Sequence, residues 1–216
     1  MKKSVYSLVL MDDVVEAIDS LAYSLQTSRS NLINQILAEK VALTTPEQYL
    51  QRVFDSLSTH LRPYTHFQIQ NQAADHMYSI KSALRYKYNP TIRYCVYLGQ
   101  QDGNLTGQLR VISRTQSDIL YFYLNDFFKL WNAIENEITS TLWEQEEGAK
   151  WLRTLSLKTF QKPHQVGELA QALSLYIKGL DDGLKLYFSA LEDSKKQYKL
   201  LSDHYKVQYK QMLHQI

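Results

Sequence analysis

A single cysteine, Cys95, excludes an internal disulfide framework and fits a reducing compartment. No apolar run approaches the ~20 residues needed to cross a bilayer, so no membrane partner is expected and the chain reads as cytoplasmic. Lys2 and Lys3, ahead of an apolar stretch at residues 5–11, imitate the start of a signal peptide. Asp12 and Asp13 cut that stretch short, and no small-residue cleavage site follows. Neither a dinucleotide fingerprint nor a phosphate-loop spacing occurs. The histidines form no metal-ligand spacing: His60 and His66 flank a proline turn, and the side chains of the adjacent Asp75 and His76 would diverge on a strand. Cys95, between Tyr94 and Val96 in an expected strand, reads as a small buried thiol rather than a nucleophile. The glutamates around Trp143 and Trp151 read as a solvated helical face and not as an acid–base pair. The chain is therefore expected to be no enzyme and to need neither metal nor cofactor. A formal charge of +2 says little about partners.

What is present begins at the N-terminus. Residues 4–10 alternate as an extended segment does, with Tyr6, Leu8 and Leu10 on one side and Val5, Ser7 and Val9 on the other. From Asp12 the period becomes helical, through Val14, Ile18, Leu21 and Leu25. After Gln26-Thr27-Ser28 a second helix places Leu32, Ile33, Ile36, Leu37 and Val41 on one face. One strand has unpaired edges, and two helices of this size cannot bury their stripes against each other alone. A twofold partner solves both problems by pairing strand with strand and interleaving four helices.

This strand–helix–helix pattern resembles a ribbon-helix-helix domain, the fold of the Arc and Met repressors. The resemblance covers about a fifth of the chain and implies an obligate homodimer whose two-stranded antiparallel ribbon enters the major groove of double-stranded DNA. It places Val5, Ser7 and Val9 toward base edges, with Lys2 and Lys3 just before them. It also places Ser28, Arg29 and Ser30 at a helix start that holds a phosphate, where an N-cap serine leaves free amides for an anion. The family carries glycine in the turn between its helices, where this chain has Gln26. With valine at two of the three outward positions, Ser7 is the only direct hydrogen-bonding reader.

Beyond residue 44 the punctuation changes. Thr45, Pro46 and Gln48 supply an N-cap, a first-turn proline and a capping-box partner, and Leu50, Val53, Phe54, Leu57 and Leu61 form the stripe of the helix they start. Short alternating segments at 66–71, 76–83, 91–98 and 105–114 suggest an antiparallel meander. Residues 118–124 fit either a fifth strand or the beginning of a helix expected over 125–140. From 166 to 216 the chain is helical by every cue. Ile177, Leu184, Leu191, Tyr198, Tyr205 and Met212 recur every seven residues, and Gly179 and Gly183 mark a kink or a turn back. The expected organisation is α+β: a ribbon-helix-helix module over 1–44, an α+β domain with an antiparallel meander and packing helices over 45–162, and a long, coiled-coil-like helical segment over 163–216.

The middle of the chain is basic and rich in tyrosine. Residues 76–115 carry Lys81, Arg85, Lys87, Arg93, Arg110 and Arg114 against Asp102 alone. A hairpin turn at 99–104 that pairs Leu98 with Leu105 would set Arg93 directly opposite Arg110, and like charges so placed destabilise a strand pair unless something neutralises them. Two outcomes follow: an anion held by Arg93, Arg110, Arg114 and Tyr97, or cover by Glu135, Glu137, Glu144, Glu146 and Glu147. Together with the resemblance, these residues point to a sequence-specific DNA-binding regulator, a transcriptional repressor acting as a homodimer, with a C-terminal region for oligomerisation, sensing or a protein partner. The same DNA chemistry would serve a plasmid relaxosome or partition accessory protein. A dimeric interaction scaffold without DNA binding is the rival from another class.

Overall fold

A computed structural model describes residues 5–41, 43–70, 76–101, 104–157 and 165–211. The chain divides into two units, Met1–Tyr49 and Leu50–Ile216.

In the first unit, residues 5–11 run without a strand partner, ahead of helices α1 (Asp12–Ser24) and α2 (Arg29–Lys40). Ser28 caps α2, its hydroxyl accepting from the Asn31 amide at 3.2 Å. Gln26 takes a left-handed φ of 52°, so the turn has the backbone for which glycine is suited, without the glycine. Ala22 and Leu32 are buried, whereas Leu21, Leu25, Ile36, Leu37 and Val41 are exposed. The ribbon expected at residues 4–10 is not formed within the chain. Among the described residues every strand follows the third helix, and segment 5–11 contributes none.

Helix α3 (Pro46–Leu61) opens on the expected capping box: the Gln48 amide donates to the Thr45 hydroxyl and the Thr45 amide to the Gln48 side chain, each at 3.1 Å. Its stripe of Leu50, Val53, Phe54, Leu57 and Leu61 is buried. The sheet comprises β1 (Phe67–Ile69), β2 (Met77–Ala83), β3 (Thr91–Gln101), β4 (Asn104–Ser113), β5 (Trp143–Glu146) and β6 (Lys150–Leu155). All neighbours are antiparallel, in the order β1-β2-β3-β4-β6-β5. The helices α4 (Asp118–Asn136), α5 (Val166–Ser189) and α6 (Ser194–Gln211) complete the unit.

Of the two alternatives for residues 118–124 the helical one is found: they belong to α4, whose N-cap Ser117 accepts from the Leu120 amide. Two other regions differ from the sequence reading. The segments around Trp143 and Trp151 are strands and not a solvated helical face. The C-terminal segment breaks after Ser189, not at Gly179 or Gly183, and α6 returns along α5. Both glycines permit close packing instead of bending. A Cβ at Gly183 would stand 2.4 Å from Cζ3 of Trp131, and one at Gly179 would touch Gln208.

Helices cover one face of the sheet, the one carrying Tyr78, Tyr94 and Trp151. Phe54 stacks on Tyr78 with centroids 5.7 Å apart, and Phe128 stacks on Trp151 at 4.5 Å. Along β3 and β4 the covered face is Ile92, Tyr94, Val96 and Leu98 with Leu105, Gly107, Leu109 and Val111, all buried. The opposite face carries Lys81, Arg93, Tyr97, Arg110, Ile112 and Leu152 half-buried, with Gln108, Lys150 and Thr154 exposed.

Candidate nucleic-acid interface and buried polar centres

On the first unit, Val5, Ser7 and Val9 are exposed along the extended segment, and Lys2 and Lys3 lie outside the described residues. Ser28 is spent on its cap, while Arg29 and Ser30 stand exposed in the first turn of α2. That terminus has the open amides an anion needs. Its one cation is engaged: the Arg29 guanidinium donates from Nε and Nη2 to both carboxylate oxygens of Asp19 on α1. An anion arriving here would compete with Asp19 for Arg29.

On the sheet, the β3–β4 register is two residues tighter than the reading that paired Leu98 with Leu105. Leu98 lies opposite Gly107, and the pairing runs on to Gln101 and Asn104. Arg93 therefore faces Ile112, and Cys95 faces Arg110. The two arginines share a face but are not directly opposed. Arg110 is neutralised as the acidic-cover alternative expects, donating to Glu146 at 3.1 Å while its guanidinium lies 5.3 Å from the Tyr97 ring centroid. Glu135 and Glu137 are committed elsewhere, to Trp143 and to Tyr198. Arg114 is exposed just past the end of β4. Cys95 is buried, its thiol donating to Ser79 at 3.7 Å, and burial pushes its pKa up, against the pull of Arg93 and Arg110.

Two buried carboxylates escaped the sequence reading. Asp181, on the sheet-facing side of α5, is 1 % exposed. It accepts from Tyr94 Oη at 2.9 Å, Ser82 Oγ at 3.1 Å and Lys185 Nζ at 2.5 Å, with His66 Nε2 at 3.3 Å. Burial and the Lys185 ammonium lower the His66 pKa, so its ring is neutral at neutral pH; burial raises the Tyr94 phenol well above its usual value. His66, Asp181 and Asp182 bring three potential metal-ligand atoms within 4.8 Å of one another. Lys185 on Asp181 and Lys178 on Asp182, at 2.6 Å, already provide the positive charge these carboxylates require. The group is built as an ammonium–carboxylate core rather than a divalent-cation cage.

Glu135 on α4 is the second. Its carboxylate accepts from Tyr176 Oη at 2.6 Å and Trp143 Nε1 at 2.9 Å, and Arg153 stands 3.9 Å away with its guanidinium over the Tyr176 ring. Each carboxylate left a readable trace: Asp181 stands four residues after Ile177, and Glu135 four after Trp131, inside otherwise apolar helical stripes. Both tie a helix to a strand on the covered face.

Comparison with protein-family models, with curated proteins and with solved structures finds no match for this chain.

Proposed function

We propose that the protein is a homodimeric, sequence-specific DNA-binding regulator, acting as a transcriptional repressor through an antiparallel ribbon contributed by residues 4–10 of two copies. One observation carries this reading. The first unit leaves Tyr6, Leu8, Leu21, Leu25, Ile36, Leu37 and Val41 exposed on two short helices and a strandless extended segment. Large apolar side chains left in water in that number favour an interface, and a second copy would supply both the missing strand and the missing helical layer. In the dimer Val5, Ser7 and Val9 face the groove and the α2 termini at Ser28, Arg29 and Ser30 meet phosphates. Arg29 then exchanges Asp19 for the DNA backbone.

Light scattering of the full chain should give twice the monomer mass. Arg29→Ala should weaken duplex binding across all sequences and lower the salt slope by about 1.8, one contact of ~0.9 from each copy. A monomer in solution, or an unchanged slope, would reject this placement of the DNA surface. The interaction-scaffold reading is favoured by one observation, the engagement of Arg29 by Asp19 beside two outward valines. It predicts a dimer with no affinity for random duplex even at low salt.

A further inference from the structure

The sheet is uneven at one end, and a cleft opens there. Strand β5 starts at Trp143, opposite Arg153, so the next two residues of β6, Thr154 and Leu155, have β4 on one side and no strand in register on the other. Residues 140–142 run past this gap from α4 without joining the ladder. Between them and the ends of β4 and β6 lies a partly enclosed cleft of about 710 Å³, within the ~300–1,000 Å³ of small-molecule sites. Its lining is of two kinds. Leu105, Leu155 and Leu157, all buried, and Leu142, 63 % exposed, make the apolar part. Thr106, Thr154 and Ser156 add hydroxyls, and Glu144 on β5 adds the single charge. Among the described residues no lysine, arginine or histidine lines it. Glu144 has no ion-pair partner among them either: Arg110 and Arg153, on the adjoining strands, lie against Glu146 and Glu135.

We propose that this cleft binds a small amphipathic cation, a protonated primary amine on an apolar body, with the ammonium at Glu144 and the body against the leucines. Charge selects the occupant. An anion would meet a lone carboxylate with no counter-charge in the lining, whereas an ammonium there gains a charge-assisted hydrogen bond. The leucines require the apolar body: a bare ammonium or a polyol would leave them in contact with water. A few convergent polar groups beside an apolar wall are the usual make-up of such a site. The cleft belongs wholly to the second unit, so the assignment is independent of the N-terminal ribbon and of DNA binding.

The test titrates the full chain with phenylpropylamine, phenylpropanol and phenylbutyrate, which carry an ammonium, a hydroxyl and a carboxylate on the same phenylpropyl group, read by ligand-observed NMR at neutral pH. The amine should bind saturably at about 1 mM, a fair affinity for so small a probe. The alcohol should bind about fivefold more weakly, the upper worth of a solvent-exposed ion pair, and the carboxylate more weakly still. Glu144→Gln should bring the amine down to the level of the alcohol and leave the alcohol unchanged. Leu142→Ala should weaken amine and alcohol by one common factor of about three. Both positions are exposed, so neither variant should shift Tm. Amine binding that is absent, or matched by the carboxylate, would overturn the proposal. So would a Glu144→Gln chain that still prefers the amine, or a Leu142→Ala chain that binds both probes as the parent does, since either result places the ligand elsewhere.

Discussion

Replacing Asp181 separates the two things its carboxylate does. Asp181→Ala removes the acceptor for Tyr94 Oη and Ser82 Oγ, both on residues almost wholly out of water, and leaves Lys185 without its partner. Each buried donor left unmet costs about 1–3 kcal/mol. Lys185 is partly exposed and can turn into solvent, which limits the electrostatic share. The sum is a loss of about 4 kcal/mol, a large fraction of the ~5–15 kcal/mol that separates a folded domain from its unfolded chain. Asp181→Asn keeps one acceptor oxygen on the same stem and gives up the charge and the second acceptor, so about 2 kcal/mol should go. Urea unfolding followed by tryptophan fluorescence checks both, provided the m-value stays constant. If Asn proves as damaging as Ala, one acceptor oxygen is not enough and the intact carboxylate holds α5 to the sheet. If Ala costs under about 1 kcal/mol, the donors have found water and the centre is not sealed.

Stability should also respond to pH through His66. Its folded-state pKa is lowered, chiefly by burial and Lys185, so the unfolded chain binds the proton first as pH falls. The contribution is intact above the ordinary imidazole value near 6.5 and is lost as pH drops through the lower folded value. His66→Gln should flatten that part of a Tm-against-pH curve, and an unchanged curve would place the acid sensitivity elsewhere. Gly183→Ala should destabilise in spite of the better helix propensity of alanine, because its methyl would meet the buried Trp131 ring at 2.4 Å. Overpacking of about 1–3 kcal/mol against a propensity gain of up to about 1 leaves a net loss, visible as a lower Tm; a rise would mean that Trp131 moves freely.

Helix α1 was legible from its apolar period alone, and α2 and α3 because period and caps agreed: Ser28 and the Thr45–Gln48 box stand where the stripes begin. The β3–β4 hairpin was legible in its faces but not in its register. A slip of two residues keeps every side chain on its own face, so alternation cannot choose between pairing Leu98 with Leu105 and pairing it with Gly107. Strands β5 and β6 were hidden by charge in core positions. Arg153 takes an inward place between Trp151 and Leu155, where it is 3 % exposed, and Glu135 from α4 and the Tyr176 ring from α5 make that placement tolerable. The same reasoning explains why Asp181 went unnoticed as a centre. Its partners Ser82 and Tyr94 stand 99 and 87 residues earlier, a separation no local pattern encodes. The segment at 5–11 shows the opposite case, a legible alternation that forms no strand among the described residues.

That long separation bears on how the molecule comes into being. On the ribosome, β2 and β3 emerge well before α5, and until it arrives the hydroxyls of Ser82 and Tyr94 have only solvent to bond. The hairpin core is thus completed by a segment translated about 90 residues later, which favours slow, late closure over stepwise assembly from the front. A chain cut short ahead of Val166 would keep its strands' sequence intact and still lack the helix that lets them bury.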